Sequence, residues 1–130
     1  MEGEAAEFLA MLELAAHSPN EALAQLWQAV RTAEGSGNVQ KAHAIKDVVL
    51  VLLIHHKKDL DRAEQLAIEL VSFLPDRFHL ELLGKVFGLL GKKSEEASAV
   101  IQARAAKDMH DSDKFRQIRE DVYRQLHRGD

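Results

Sequence analysis

Histidine and carboxylate side chains at helical spacing are the groups of this chain best suited to chemistry. His43 and Asp47 are four residues apart, and so are His55 and Asp59. Each pair would share one face of a helix, where it could supply two ligands to a metal ion. Most such pairs are solvated surface neighbours, and the acidic stretch 108–113 lacks the glycine and distal glutamate of a calcium loop. We therefore expect no metal site and no cofactor.

The sequence carries no motif of covalent or phosphoryl-transfer catalysis. It contains no cysteine, which excludes a thiolate nucleophile, a thiolate zinc site and a disulfide framework. Gly91-Lys92-Lys93 has no second glycine at the spacing of a phosphate-binding loop, and no GxSxG pattern occurs. We expect no catalytic residues, so this protein should not be an enzyme.

Composition and charge narrow the class further. The chain has 130 residues, 46% of them apolar and 29% charged, with a net charge of −4, which is typical of one globular domain over 1–130. A mildly acidic chain lacks the basic face that binding of a nucleic acid requires, so the charge disfavours a nucleic acid as partner. The N-terminus is acidic, unlike a signal peptide, and the longest apolar run, 48–54, is too short to span a membrane. We expect a cytoplasmic protein with no membrane partner.

The elements that must position any site are helices, because strong helix formers such as Ala, Leu and Glu dominate the composition. Apolar periodicity and capping residues predict about seven short antiparallel helices, stacked as hairpins by short links. The first covers about 4–17, the third about 39–57 and the last 111–130, and the others begin near residues 19, 60, 77 and 95. The fold class is therefore all-α.

Four polar residues stand where helices should begin. Ser18 is followed three residues later by Glu21, the pattern of a capping box. Asn38, Asp76 and Ser94 precede the third, fifth and sixth predicted helices. We expect each of the four side chains to cap its helix.

Two predicted helices have informative apolar faces. The third contains VVLVLLI, a run that would also suit a buried strand. No other segment alternates at the period of a strand, so a strand would have no partner for its backbone groups. We therefore predict a central helix that is buried on all sides. For the sixth helix, the inward-facing residues are expected to be Ala97, Val100, Ile101 and Ala105.

Several small and aromatic residues follow a repeat-like pattern. The pattern comprises Leu83-Gly84, Phe87, Gly91 and Ala97, with Ala63 standing thirty-four residues before Ala97. This segment resembles the tetratricopeptide repeat, over about residues 37–110. The spacing of twenty-one between Ala42 and Ala63 departs from that pattern, and an ordinary helical bundle is the alternative. The resemblance implies an N-terminal hairpin over 1–36, repeat-like hairpins over 37–110 and a capping helix over 111–130.

The resemblance also implies a function. Stacked hairpins leave a groove that can hold a peptide or a helix of another protein. We therefore expect a non-enzymatic interaction module: an adaptor, an assembly factor or a small acidic chaperone. By resemblance, the residues expected to contact the partner are His79, Leu82, Lys85, Val86 and Leu89.

Two alternatives stay open at the level of sequence. A stripe left uncovered would favour self-association, as a homodimer. The basic side of the last helix would offer Arg116, Arg119 and Arg124 for electrostatic contact with an acidic partner or, less favoured, a nucleic acid.

Overall fold

The computed structural model describes residues 18–106, and 84% of these residues lie in α-helices, with no strand among them. The all-α class is confirmed. The helices are α1 (Pro19–Gly35), α2 (Val39–His56), α3 (Leu60–Phe73), α4 (Arg77–Leu89) and α5 (Lys93–Ala105). The described residues form five helices rather than about seven, because the predicted helices over 4–17 and 111–130 lie outside this range. The arrangement as repeats stays a prediction.

The described chain divides into two units, residues 18–52 and residues 53–106. The boundary falls within α2, whereas the sequence suggested divisions after residues 36 and 110. The single domain expected over 1–130 stays a prediction.

In the first unit, α2 is the element that the sequence left most ambiguous. The run VVLVLLI is helical, and residues 44–53 are all buried, which confirms a helix without an exposed face along this stretch. Two of these buried residues are charged, Lys46 and Asp47. Lys46 lies 3.3 Å from the Glu34 carboxylate of α1, because a buried ammonium group needs a counter-charge.

Three helices end in the same backbone motif. After α1, the N–H of Asn38 donates to the Ala33 carbonyl, and the chain turns at Gly37 with φ 75°. The equivalent turn residues after α2 and α4 are Lys57, with φ 53°, and Gly91, with φ 75°. This is the Schellman motif, whose left-handed residue is usually glycine. Lys57 is therefore the strained member of the set.

In the second unit, the link between α3 and α4 is fixed by a buried cap. Asp76 is fully buried and accepts a hydrogen bond from the His79 N–H at 3.0 Å, as an N-cap should. The imidazole Nδ1–H of His79 donates to the Leu74 carbonyl at 2.8 Å. The predicted cap at Asp76 is confirmed, and it directs α4 back along α3, on which α4 packs.

An ion pair fastens the other end of α3. The Lys92 ammonium donates to the Glu64 carboxylate at 2.6 Å. That hydrogen bond raises the pKa of Lys92, with nearby acidic charges adding to the effect. The pair connects α3 to the link between α4 and α5.

The helices α4 and α5 form an antiparallel hairpin. Arg77, at the start of α4, donates to the Ala106 carbonyl just after α5. Further along, Gly84 faces Ala99, and Gly88 faces the Glu96 carboxylate near the turn. Residue numbers along α5 therefore decrease as the numbers of the facing residues on α4 increase, so the two helices run antiparallel.

The caps predicted from sequence differ in outcome. Asn38 accepts the Lys41 N–H at 3.2 Å, so its cap is confirmed. Ser18 stands at the N-cap of α1, but its side chain makes no capping hydrogen bond, so the capping box is wrong. Ser94 lies inside α5, which begins at Lys93, so that cap is also wrong. Both helices start without side-chain help.

Candidate functional site

An open groove of about 570 Å³ runs between α4 and α5. Its floor consists of Gly84, Val100 and Ala103. Its charged rim consists of Arg77, Glu81, Lys85, Glu96 and Arg104. An apolar floor with a few convergent polar groups is the usual form of a binding groove.

Small residues bring the two helices close at the floor. A Cβ built on Gly84 would lie 3.6 Å from the Cβ of Ala99, which is ordinary van der Waals contact. Ala99 and Ala103 are buried, one turn apart on the same face of α5. The close contact between the helices therefore depends on side chains no larger than a methyl group.

The packing face of α5 differs from the predicted one. Ala99 and Ala103 are buried, whereas the four residues expected to face inward are exposed: Ala97, Val100, Ile101 and Ala105. The sequence interpretation of this helix was wrong: the two alanines take the buried positions, whereas Val100 stays 39% exposed, although its Cγ2 would lie 3.8 Å from a Cβ built on Gly84. The alanines at 63 and 97 also differ: Ala63 is fully buried, but Ala97 is exposed.

Because α5 buries its alanine face, larger apolar side chains are exposed to solvent beside the groove. Val100 is 39% exposed and Ile101 is 66% exposed. Val100 belongs to the groove floor, and Ile101 follows it on the outer side of the helix. Together with the groove floor, these two neighbouring side chains form a small contiguous apolar surface that a partner could cover.

The rim residues carry distinct electrostatic roles. Arg77 uses one N–H on the Ala106 carbonyl at 3.1 Å. Partial burial lowers the pKa of Lys85, and the neighbouring Glu81 carboxylate opposes that effect. Arg104 has no hydrogen-bond or ion-pair partner in the part of the chain that the structure describes. The groove therefore presents cations that can accept a further anionic partner.

A second groove, of about 410 Å³, lies in the first unit beside α1. Three of its polar side chains are already engaged within the chain. Thr32 donates to the Gln28 carbonyl, Ser36 donates to the Ala33 carbonyl, and the Asn38 side chain caps α2. We therefore prefer the groove between α4 and α5 as the candidate site.

The residues predicted from sequence to contact a partner fall into two groups. His79, Leu82 and Val86 are at most 2% exposed and belong to the core of the second unit. Lys85 and Leu89 are exposed on α4, and Lys85 lines the groove. The electrostatic candidates Arg116, Arg119 and Arg124 lie outside the described residues.

The histidine and acid pairs form no metal centre in the described residues. No group of three or more potential ligands occurs within 18–106. In one predicted pair, Asp47 is buried while the His43 ring contacts the Val39 carbonyl at 2.9 Å. In the other, Asp59 is exposed at the start of α3. The stretch 108–113 lies outside the described residues.

Comparison with protein-family models, with curated proteins and with solved structures finds no match to this chain. Across the described helices, none has the length and apolar character needed to cross a membrane. The fold and the groove therefore carry the functional argument.

Of the residues that line the groove, sequence reasoning expected Lys85 to contact the partner, but it did not place Arg77 and Arg104 at one site. The two arginines are far apart in the chain and meet only because the hairpin closes. The spacing of Ala99 and Ala103 could have indicated which face of α5 packs on α4. Two small residues one turn apart form a face that can approach a helical glycine closely.

Proposed function

We propose that this chain is a non-enzymatic interaction module that binds a segment of another protein in the groove between α4 and α5. The observation that carries the proposal is the exposed pair Val100 and Ile101 beside an apolar groove floor. Covering the exposed fractions of these two side chains would contribute about 2 kcal/mol to binding. A millimolar affinity already requires about 4 kcal/mol, so the other groups that line the groove must supply the rest.

A closely placed pair of acid and imidazole groups, Asp76 and His79, supports a role other than catalysis. Asp76 and His79 approach to 3.4 Å, but both are buried. Asp76 caps α4, and His79 bonds the Leu74 carbonyl. A general base must reach a substrate, and these groups are enclosed by the link that they hold together.

The test uses peptides selected from a random display library on the immobilised full-length protein. Affinities of the enriched peptides are then measured by fluorescence anisotropy for the wild type and two variants. Val100→Asp changes the groove floor, and Val39→Asp makes the same change at a valine that is 53% exposed on α2. Far-UV circular dichroism confirms that both variants are folded.

We expect Val100→Asp to weaken binding by about tenfold or more, because a charge replaces an apolar contact. Val39→Asp should change the affinity less than about twofold, within the range of distant surface changes. Ile101→Asp provides a second groove variant if Val100→Asp is unfolded. Equal binding by all variants, or no enrichment over a bare surface, would overturn the proposal.

Self-association is the second candidate. Ile68 and Phe73 on α3 are 48% and 47% exposed, and a symmetric dimer would bury such side chains. Light scattering of the full chain over a range of concentrations tests this candidate. A monomer at every concentration would remove it.

A further inference from the structure

We propose that the occupant of the groove between α4 and α5 is a protein segment that combines acidic with apolar side chains, bound with its acidic end against Arg77 and Arg104. This inference rests on the proposed function and specifies the partner. It follows from the unequal distribution of charge along the groove.

The open end of the hairpin carries two guanidinium groups. Arg77 begins α4 and Arg104 stands in the last turn of α5, and both line the groove. One of the five N–H groups of the Arg77 guanidinium donates a hydrogen bond to the Ala106 carbonyl. Its remaining donors, together with those of Arg104, suit a carboxylate, which guanidinium groups bind in a bidentate manner.

The middle of the groove is suited to an apolar side chain. Gly84 has no side chain, and the neighbouring Val100 and Ala103 supply only aliphatic surface. Ile101 extends this surface beyond the groove, where it is 66% exposed. An apolar residue that follows the acid of a bound segment would lie here.

At the turn end of the hairpin, the groove is lined by the Glu96 carboxylate rather than by a guanidinium group. A Cβ built on Gly88 would lie 2.5 Å from the Glu96 carboxylate oxygen, so the carboxylate lies directly over the helix backbone. An acidic residue of the partner would be repelled there. The groove thus fixes a direction: acid at Arg77 and Arg104, and a neutral or basic residue at Glu96.

The same carboxylates argue against a nucleic acid as occupant. Glu81 and Glu96 both line the groove, and an evenly spaced row of phosphates would have to pass them. Binding of phosphates requires a continuous basic surface. A short segment with a local carboxylate avoids this repulsion.

The experiment uses the display-selected peptides and a charge reversal with a matched control. Arg104→Glu reverses a groove cation that has no partner in the described chain. Arg31→Glu makes the same charge change on α1, where Arg31 contacts Gln28. Each variant is measured against the selected peptides, and against peptides in which Lys replaces their acidic residues.

We expect the selected peptides to be rich in Asp and Glu beside an apolar residue. Arg104→Glu should weaken their binding by about tenfold, and Arg31→Glu by less than about twofold. The lysine-substituted peptides should show the reverse preference and bind Arg104→Glu more tightly than the wild type. Arg104→Gln, which loses the charge without reversing it, serves if Arg104→Glu is unfolded.

The alternative results separate this inference from the proposed function. Peptides that depend on Val100 but show no acidic bias and no response to Arg104→Glu would overturn the inference and keep the function. A single-stranded DNA oligonucleotide that competes with the peptides, and loses affinity on Arg104→Glu, would also overturn it. A wild-type dimer that Arg104→Glu dissociates would identify a second copy as the occupant instead. Peptides that respond to neither groove variant would overturn both proposals.

Discussion

Replacing Lys57 with glycine should remove the backbone strain after α2 and make the chain more stable than the matched variant Lys57→Ala. Lys57 is an exposed residue with φ 53°, at the position that glycine fills after α1 and after α4. The left-handed conformation costs a residue with a Cβ about 1–2 kcal/mol. Glycine removes that cost but adds about 0.5–1 kcal/mol of backbone entropy to the unfolded chain. The backbone contribution to the change is therefore a gain of about 0.5–1 kcal/mol.

The charge of Lys57 requires a control. A cation just after α2 interacts favourably with the helix dipole, by about 0.3–1 kcal/mol. Lys57→Ala removes the same charge but keeps a Cβ at the left-handed position. The comparison of Lys57→Gly with Lys57→Ala therefore isolates the backbone contribution, and we expect the glycine variant to be more stable by about 0.5–1 kcal/mol.

Gly91→Ala is the converse change. A Cβ built on Gly91 meets no atom within 4 Å, so only its φ of 75° opposes a side chain. This variant should lose about 0.5–1 kcal/mol. The assay for all three variants is urea unfolding followed by far-UV circular dichroism. If Lys57→Ala were as stable as Lys57→Gly, the strain assigned to Lys57 would be refuted.

Three further predictions concern other parts of the fold. Gly88→Ala should raise the free energy of unfolding by about 0.5–1 kcal/mol, because alanine has the higher helix propensity and the flexible Glu96 side chain can move aside. Thermal unfolding measures this change, and a lower midpoint than that of the wild type would contradict it. Asp76→Ala should lower the free energy of unfolding in urea by about 1–2 kcal/mol, and Ser18→Ala by less than about 0.5 kcal/mol. The reason is that the Asp76 side chain caps its helix and the Ser18 side chain does not. Equal losses of stability would refute the distinction. Burial and neighbouring positive charges lower the pKa of His56 from 6.5, so the unfolded chain takes up the proton first and stability falls as the pH drops below that value. His56→Gln should flatten this dependence in urea midpoints measured across that range, and an unchanged slope would contradict the assignment.

The sequence was sufficient to predict the five described helices, but not which face of each helix is buried. The run 48–54 could be assigned to a helix because no other segment offered strand pairing. On α5, two apolar faces overlap in the periodic pattern, one with Ala99 and Ala103 and the other with Val100 and Ile101. Periodicity favoured the larger side chains, but the alanines take the buried positions and Val100, which also lies near Gly84, is only partly covered.

The candidate site was less accessible to prediction for a related reason. Its cations Arg77 and Arg104 come together only through the direction of the α4–α5 hairpin. The partner residues taken from the repeat resemblance were largely core residues, since His79 and Val86 are buried. Burial on a helix depends on which neighbour packs against it, and one sequence does not specify that neighbour.

The most direct test of the central claim is a map of amide chemical-shift changes on the full-length protein when a selected peptide binds. We expect the largest changes on residues 77–85 of α4 and 96–104 of α5, around the groove. We expect small changes on residues 25–41, which include the residues lining the second groove. Changes centred on 25–41, with α5 unaffected, would contradict the claim that the groove between α4 and α5 is the binding site.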